Sequence, residues 1–459
     1  MSRPTIICTG MCNTKGAEVR FLAEMVAAHG GRPMIMDLSL GGAVDWADIS
    51  LHEVLACTDV TIEEVLAAPR AEASDLVGRA GAAKILELHS RGDCDGVLSW
   101  AGSVGTSTAT RVMRALPFGV PKIMLTDMTS GDIGTWVGNK DIYIVNPTLE
   151  QGINVVTRRM VANAAAGIVA MAQVGPIAAG SRPLCALTSY GTTTPAVLRC
   201  KAFMEGRGWD TAVFHAVGVG ATMEDLIRSG LITAVLDITT AELINTLCQS
   251  PFGIPASWDG ERLSAAGEMG IPQVVVPGGL DQCAYGALSS IPVGYREDLQ
   301  AGRRPSYRGT GLPYRHNEGV TIMVPTLDEV AAVARYMADR LNRTRGPATV
   351  VVPMRGWSAY DQSQAVATRE RGWAEGNGDG PTWEPDPERP ERSSRASVML
   401  QVLAENLDSG NDNLDLVAVD MHILDPELAD LLNRLIGDML DGTWKRGAYG
   451  ELDVRNEVG

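Results

Sequence analysis

The most constraining feature of this chain is a repeated alternation. A short apolar, strand-like run is followed by a loop rich in Gly, Ser and Thr, and then by a stretch with helical spacing. In the first half the runs at 5–8, 32–37, 95–100 and 121–125 read as strands, with helices at 17–29, in the region up to about 90, and at 109–116. In the second half strands are expected at 184–187, 211–214, 234–237 and 270–276, with helices up to 206 and at 223–229. Such switching between strand runs and helical periodicity marks βαβ units on a parallel sheet. The segment GVPKIML at 119–125 has a counterpart in GIPQVVV at 270–276, which points to a duplication. The expected fold is therefore α/β, with two Rossmann-like parallel-sheet lobes facing a central cleft. Residues 1–180 form the first lobe and 181–459 the second. Residues 163–172 read as an Ala-rich helix crossing between the lobes. Residues 374–395, rich in Gly, Pro and charge, read as an exposed, mobile loop. A strand at 414–420 and a helix at 426–440 then extend the second lobe.

Composition fits this reading and narrows function. Of 459 residues, 45% are hydrophobic but only 5% aromatic, and 50 are Gly, a balance that suits helices packed closely on sheets. The formal net charge of −16 argues against a general binder of nucleic acid or anionic membranes. No basic leader with a long apolar core opens the chain, and no 18-residue uninterrupted apolar run occurs. The eight cysteines include no CxxC pair and no zinc-type spacing with His, so they read as reduced, mostly buried thiols, and no metal centre is assigned. Together these features predict a cytoplasmic protein.

Ligands of a doubly wound sheet sit beyond the carboxyl ends of its strands, so the loops there are the candidates. Gly102, Ser103, Gly105, Thr106 and Ser107 follow one strand and precede a helix. They can cradle an anion through close backbone N–H groups, hydroxyls and the helix dipole, or form a tight turn with a Ser/Thr cap. Asn13, Thr14 and Lys15 precede the helix at 17–29. A cation is disfavoured at a helix start, and a bound phosphate or carboxylate would remove that penalty; a solvated lysine is the plainer alternative. In the second half Gly191, Thr192 and Thr193, then Gly218 and Gly220, then Thr239 and Thr240, and finally Gly278, Gly279 and Asp281 stand in comparable places. Asp237 or Glu242 can hold a magnesium ion through water and phosphate, cap a helix, or be surface charges. His215 ends a strand. His316 lies in a polar loop crowded with Arg296, Arg303, Arg304, Arg308 and Arg315, either an anion-binding cluster or a solvated loop. His215, Glu242 and His316 are the candidate acid–base residues, with structural hydrogen bonding as the alternative for each histidine. No Walker A loop, complete dinucleotide fingerprint, GxSxG elbow or HExxH motif is present.

The blocks FHAVGVGATMEDLI, VLDITTAEL, ERLSAAGEMGIPQVVVPGGLD and HNEGVTIMVPTLDE, with NTKGAE and AGSVGTSTATRVMRALPFGVPKIM before them, resemble the signature segments of the Tm-1-like (UPF0261) family. The resemblance spans most of residues 4–360 and, more faintly, DPELADLLNRLIGDML near the end. This family includes the inhibitory domain of a tomato virus-resistance protein. The resemblance implies two Rossmann-like lobes, a homodimer or higher homo-oligomer, and ATP as ligand, alone or with Mg2+. Three departures stand out. GMCNTKG replaces a Thr-Leu-Asp-Thr-Lys-Gly type of loop, so Asn13 takes an acidic position. AGSVGT stands for GGSGGT, and the region after Asp361 is expanded.

Three functions are consistent with these residues. The first is an ATP-binding protein, an enzyme of small-molecule metabolism with its anionic ligand in the inter-lobe cleft. The second is an ATP-independent hydrolase or lyase acting on an anionic carbonyl metabolite, using His215 or His316. The third is a non-catalytic regulatory binder.

Overall fold

The computed structural model describes residues 3–129, 133–146, 149, 152–175, 182–256, 258, 260–363, 379–450 and 452, apart from the side chain of Arg308. The chain divides into two compact units, Met1–Ala178 and Ala179–Gly459.

In the first unit five parallel strands form one sheet: β1 (Thr5–Gly10), β2 (Arg32–Asp37), β3 (Gly96–Ala101), β4 (Lys122–Thr126) and β5 (Tyr143–Val145), in the order β2-β1-β3-β4-β5. β1, β3 and β4 are buried throughout, as expected where helices cover both faces of a parallel sheet. Ile6, Leu98 and Leu125 meet Leu22, Val161 and Ile168 on one side; Ile7, Val97 and Met124 meet Val54, Val77 and Val112 on the other. Small residues permit this packing. A Cβ on Gly81 would lie 2.7 Å from Val112, at the contact between helices Arg70–Ser90 and Ser103–Ala115.

The Ala-rich helix expected to cross between lobes runs from Val155 to Gln173 and belongs to the first unit. Asn154 caps it, accepting from the N–H groups of Val156 and Thr157. Among the described residues it alone is long and apolar enough to span a membrane, but Val161, Ala165 and Ile168 pack against the sheet.

The second unit holds six parallel strands: β6 (Leu184–Ser189), β7 (Asp210–His215), β8 (Ile232–Thr239), β9 (Gln273–Gly278), β13 (Ala348–Pro353) and β14 (Leu414–Val419). Their order is β7-β6-β8-β9-β13-β14. The first five therefore repeat the order of the first unit, and β14 extends the far edge. The duplication reaches atomic detail. Gly119 and Gly270 both take left-handed conformations (φ +85° and +68°) just before the fourth strand of their sheet. Pro121 and Pro272 then each accept a backbone hydrogen bond from the third strand, from Val97 at 2.9 Å and Val235 at 3.0 Å.

Between β9 and β13 lies an unforeseen antiparallel sheet, β10 (Cys283–Tyr285), β11 (Tyr314–Arg315) and β12 (Thr321–Met323), in the order β10-β12-β11.

Residues 374–378 of the segment expected to be an exposed loop lie outside the described residues. Of the rest, Pro385, Pro387, Glu388, Pro390 and Glu391 are exposed as expected, but Thr382, Ser393, Ser394 and Arg395 are buried. Thr382 and Arg395 are tied into the interior. Thr382 donates to Asp281 at 2.7 Å, and Arg395 donates to the Thr382 carbonyl at 2.7 Å.

Candidate functional site

In the first unit the strand order reverses between β1 and β3, the topological switch point at which open α/β sheets bind ligands. A cavity of about 540 Å3 opens there. Its wall includes Met11, Asn13, Thr14 and Lys15 after β1 and 101–105 at the end of β3, with Gly41, Arg70 and apolar residues such as Leu40, Val65 and Leu66.

Two helices begin at this cavity. The helix expected from residue 109 starts at Ser103, so most of the Gly/Ser/Thr segment is its first turns, and Gly102 precedes it without a side-chain cap. The helix expected from residue 17 starts at Cys12 and is kinked at Lys15, whose φ and ψ are −123° and 34°. Neither helix has an acidic residue in its first turn. A helix start carries partial positive charge; in the first helix the N–H groups of Thr14 and Lys15 bond to the Met11 carbonyl, so its contribution is the dipole rather than free donors. Lys15 is only 7% exposed on the wall. The lining residues include Lys15 and Arg70 but no carboxylate, in a protein whose formal charge is −16.

The individual residues divide by role. Gly102, Ser103 and Gly105 line the cavity; Thr106 and Ser107 do not. The Thr106 hydroxyl donates to Thr126 Oγ1 at 2.8 Å, inside the core. Gly105 also serves packing, because a Cβ there would lie 2.5 Å from Ala101 Cβ. The N–H of Asn13 is taken by Ser39 Oγ, which in turn donates to Asp37. Burial, and then Asp37, push the neighbouring Cys12 thiol well up, so it stays protonated.

The second unit has the corresponding switch point between β6 and β8, but its polar groups are spent internally. Thr188 donates to Asp237 at 2.7 Å, Thr193 and Thr239 hydroxyls lie 2.7 Å apart, and Thr240 donates to the Val276 carbonyl. The Arg262 side chain is fully buried beside them. Its Nη1 reaches Asp237 at 2.8 Å and Glu224 at 3.1 Å, and its Nε reaches Glu242 at 3.1 Å. Burial opposes the Arg262 charge, but Asp237, Glu242 and Glu224 outweigh it and hold the guanidinium firmly protonated. Burial pushes Glu224 up, against the pull of Arg262.

Glu242, expected as an acid–base or magnesium group, therefore belongs to an ion cluster; its other oxygen accepts the Gly220 N–H at 2.8 Å. Gly220 is glycine for that reason, since a Cβ would lie 2.0 Å from Glu242 Oε2. Gly218 takes φ +89° in the same loop. Gly278 and Gly279 are likewise closely packed, with a Gly278 Cβ only 2.1 Å from the Ile238 carbonyl. Two arginines of the expected cluster are paired within the chain: Arg304 is buried against Glu329, and Arg303 pairs with Asp298.

His215 and His316, 101 positions apart in the sequence, do come together. Both line a cavity of about 270 Å3, with Gly191 and Thr192 from the end of β6 and Gln282 and Tyr360 beside them. His316 Nδ1 lies 2.6 Å from the Tyr360 hydroxyl, and His215 meets the Tyr190 ring edge-on at 5.6 Å. Imidazole and phenol together can exchange protons with a bound molecule.

Near this cavity two carboxylates are fully buried. Asp281 accepts from Ser358 and Thr382, both at 2.7 Å, while its Oδ1 has no partner among the described residues. Burial, and then the charge of Asp281, push Asp361 up to about 7. Arg262, Gln282 and Tyr360 escaped the sequence reading. Gln282 had only its place beside Asp281 to mark it, and Arg262 sat inside a signature block without a visible role. Among the described residues no group of three or more His, Cys, Asp or Glu is placed to hold a metal ion.

Two Rossmann-like parallel-sheet units, the first with an open, carboxylate-free cavity at its switch point, define the class of protein. Its sequence relatives define the family. The N-terminal domain of the uncharacterised protein family UPF0261 matches residues 4–176, and the C-terminal domain of that family matches residues 182–372. A UPF0261 protein of Clostridium tetani is 34% identical over 366 residues, covering 79% of this chain and 86% of its own. A UPF0261 protein of Rhizobium meliloti is 36% identical over 360 residues, with 78% and 85% covered. The ToMV resistance protein Tm-1(GCR237) of Solanum lycopersicum is 28% identical over 459 residues, 94% of this chain and 55% of the tomato protein. The chain belongs to the UPF0261 family.

Proposed function

We propose that the first unit binds a nucleotide, ATP, through its phosphate chain in the cavity between β1 and β3, in the service of small-molecule metabolism. The observation that carries this reading is the convergence of two helix starts and the nearly buried Lys15 on one cavity whose wall has no carboxylate. Main-chain N–H groups and a lysine are the usual partners of phosphate oxygens. The volume, about 540 Å3, lies within the range common for small-molecule sites. In this reading Mg2+ arrives on the nucleotide's own oxygens, since the wall offers no carboxylate to hold it.

Isothermal titration of the full chain with ATP, with and without Mg2+, tests the proposal. Wild type should bind in both conditions. Lys15→Met should weaken binding at least tenfold, the scale of one hydrogen bond to a charged group. No heat of binding from wild type, or equal affinity in the variant, would remove this cavity as the nucleotide site.

A further inference from the structure

We infer that the second unit holds a separate site for a small carboxylate with a planar, apolar body, in the cavity shared by His215 and His316. Its volume, about 270 Å3, equals the share of about nine liquid waters and so admits a ligand of roughly ten non-hydrogen atoms. The rings of Tyr190, Phe252 and Tyr360 and the aliphatic Val217, Val320 and Ile322 form most of the wall. Such a wall favours a flat hydrocarbon body.

The polar groups converge on one kind of head group. Besides the Tyr190 and Tyr360 hydroxyls, which lie against Asn245 and His316, the polar side chains of the lining are Thr192, His215, Gln282 and His316, and no carboxylate is among them. Gln282, 3% exposed, donates to Thr192 Oγ1 at 3.1 Å, and Tyr360 fixes the His316 ring. The backbone N–H groups of Gly191 and Thr192 have no acceptor among the described residues. They stand just before the helix Thr194–Gly206, which has no acidic residue in its first turn. These two main-chain N–H groups and the imidazole N–H groups, gathered at one end of an apolar wall, favour an anionic head. The lining has no Lys or Arg, which separates it from the first cavity and favours one negative charge over a phosphate chain.

Benzoate, with its single ring and carboxylate, is the probe. Isothermal titration of the full chain should find one benzoate per chain and at least tenfold weaker binding of neutral benzamide. Gly191→Phe is a clean obstruction, because nothing lies within 4 Å of a Cβ at that position and its φ is not left-handed. This variant and His316→Gln should each weaken benzoate at least tenfold while ATP titrates as in wild type. Should Gly191→Phe fail to fold, Val217→Trp obstructs the same wall. No benzoate binding, equal binding of benzamide, or unchanged benzoate affinity in either variant would overturn the assignment. Displacement of benzoate by inorganic phosphate would overturn it too.

Discussion

The two sheets share a strand order and differ in what occupies the ends of their central strands. In the first unit the space beyond β1 and β3 is open, and its wall combines the loop and helix starts at 11–15 and 101–105 with Lys15, Arg70 and apolar side chains such as Leu40, Val65 and Leu66. In the second, the end of β8 is closed by the protein's own ions: Arg262 lies among Glu224, Asp237 and Glu242, and threonine hydroxyls bond to one another. Topology thus supplies a crevice, and side chains decide whether a ligand or the chain itself fills it. The second unit turns instead to a smaller cavity, against the added antiparallel sheet, that two imidazoles line.

The largest test of this contrast is Arg262→Met. It leaves three buried carboxylates without their common cation. Breaking a buried ion pair by removing one partner typically costs about 3–5 kcal/mol, and urea unfolding of the variant should show a loss of that size. A loss under about 1 kcal/mol would mean that the cluster is not what fills the second crevice.

A smaller effect should follow pH. Asp361 titrates near 7 when folded and near 4 when unfolded, because burial and Asp281 disfavour its charge. Between those values the folded state binds more protons than the unfolded, so stability falls as pH rises from about 4 to about 7. Asp361→Asn keeps an acceptor for the Trp357 N–H and Ser393 hydroxyl and removes the titration. Urea midpoints measured from pH 4 to 8 should decline less in the variant than in wild type. An identical pH profile would show that Asp361 is ionised throughout.

Much of the fold was legible in the sequence, and less of the site. Alternating strands and helices, and the paired Gly-x-Pro entries before β4 and β9, follow local rules of φ and periodicity, so the duplicated sheet could be anticipated. The lengths of the two site helices were underread, because Gly, Ser and Thr at 102–107 are poor helix formers whose first turns the sheet nevertheless holds in place. Gly220, Thr239 and Glu242 looked like ligand groups because their true partners, Glu242, Thr193 and Arg262 respectively, are 20 or more residues away and no local pattern marks them. The burial of Arg395 and Thr382 was hidden for the same reason: a polar, Pro-rich sequence reads as exposed until Asp281 and Asp361 are known to lie beneath it. His215 and His316 were visible singly, but their meeting depends on the antiparallel sheet.

Hydrogen–deuterium exchange of the full chain with and without ATP addresses the central claim most directly. Nucleotide in the first crevice should slow exchange in peptides covering 11–16 and 102–107, and leave those covering 190–194 and 237–242 unchanged. Protection confined to the second pair of peptides, or none in the first, would contradict the account.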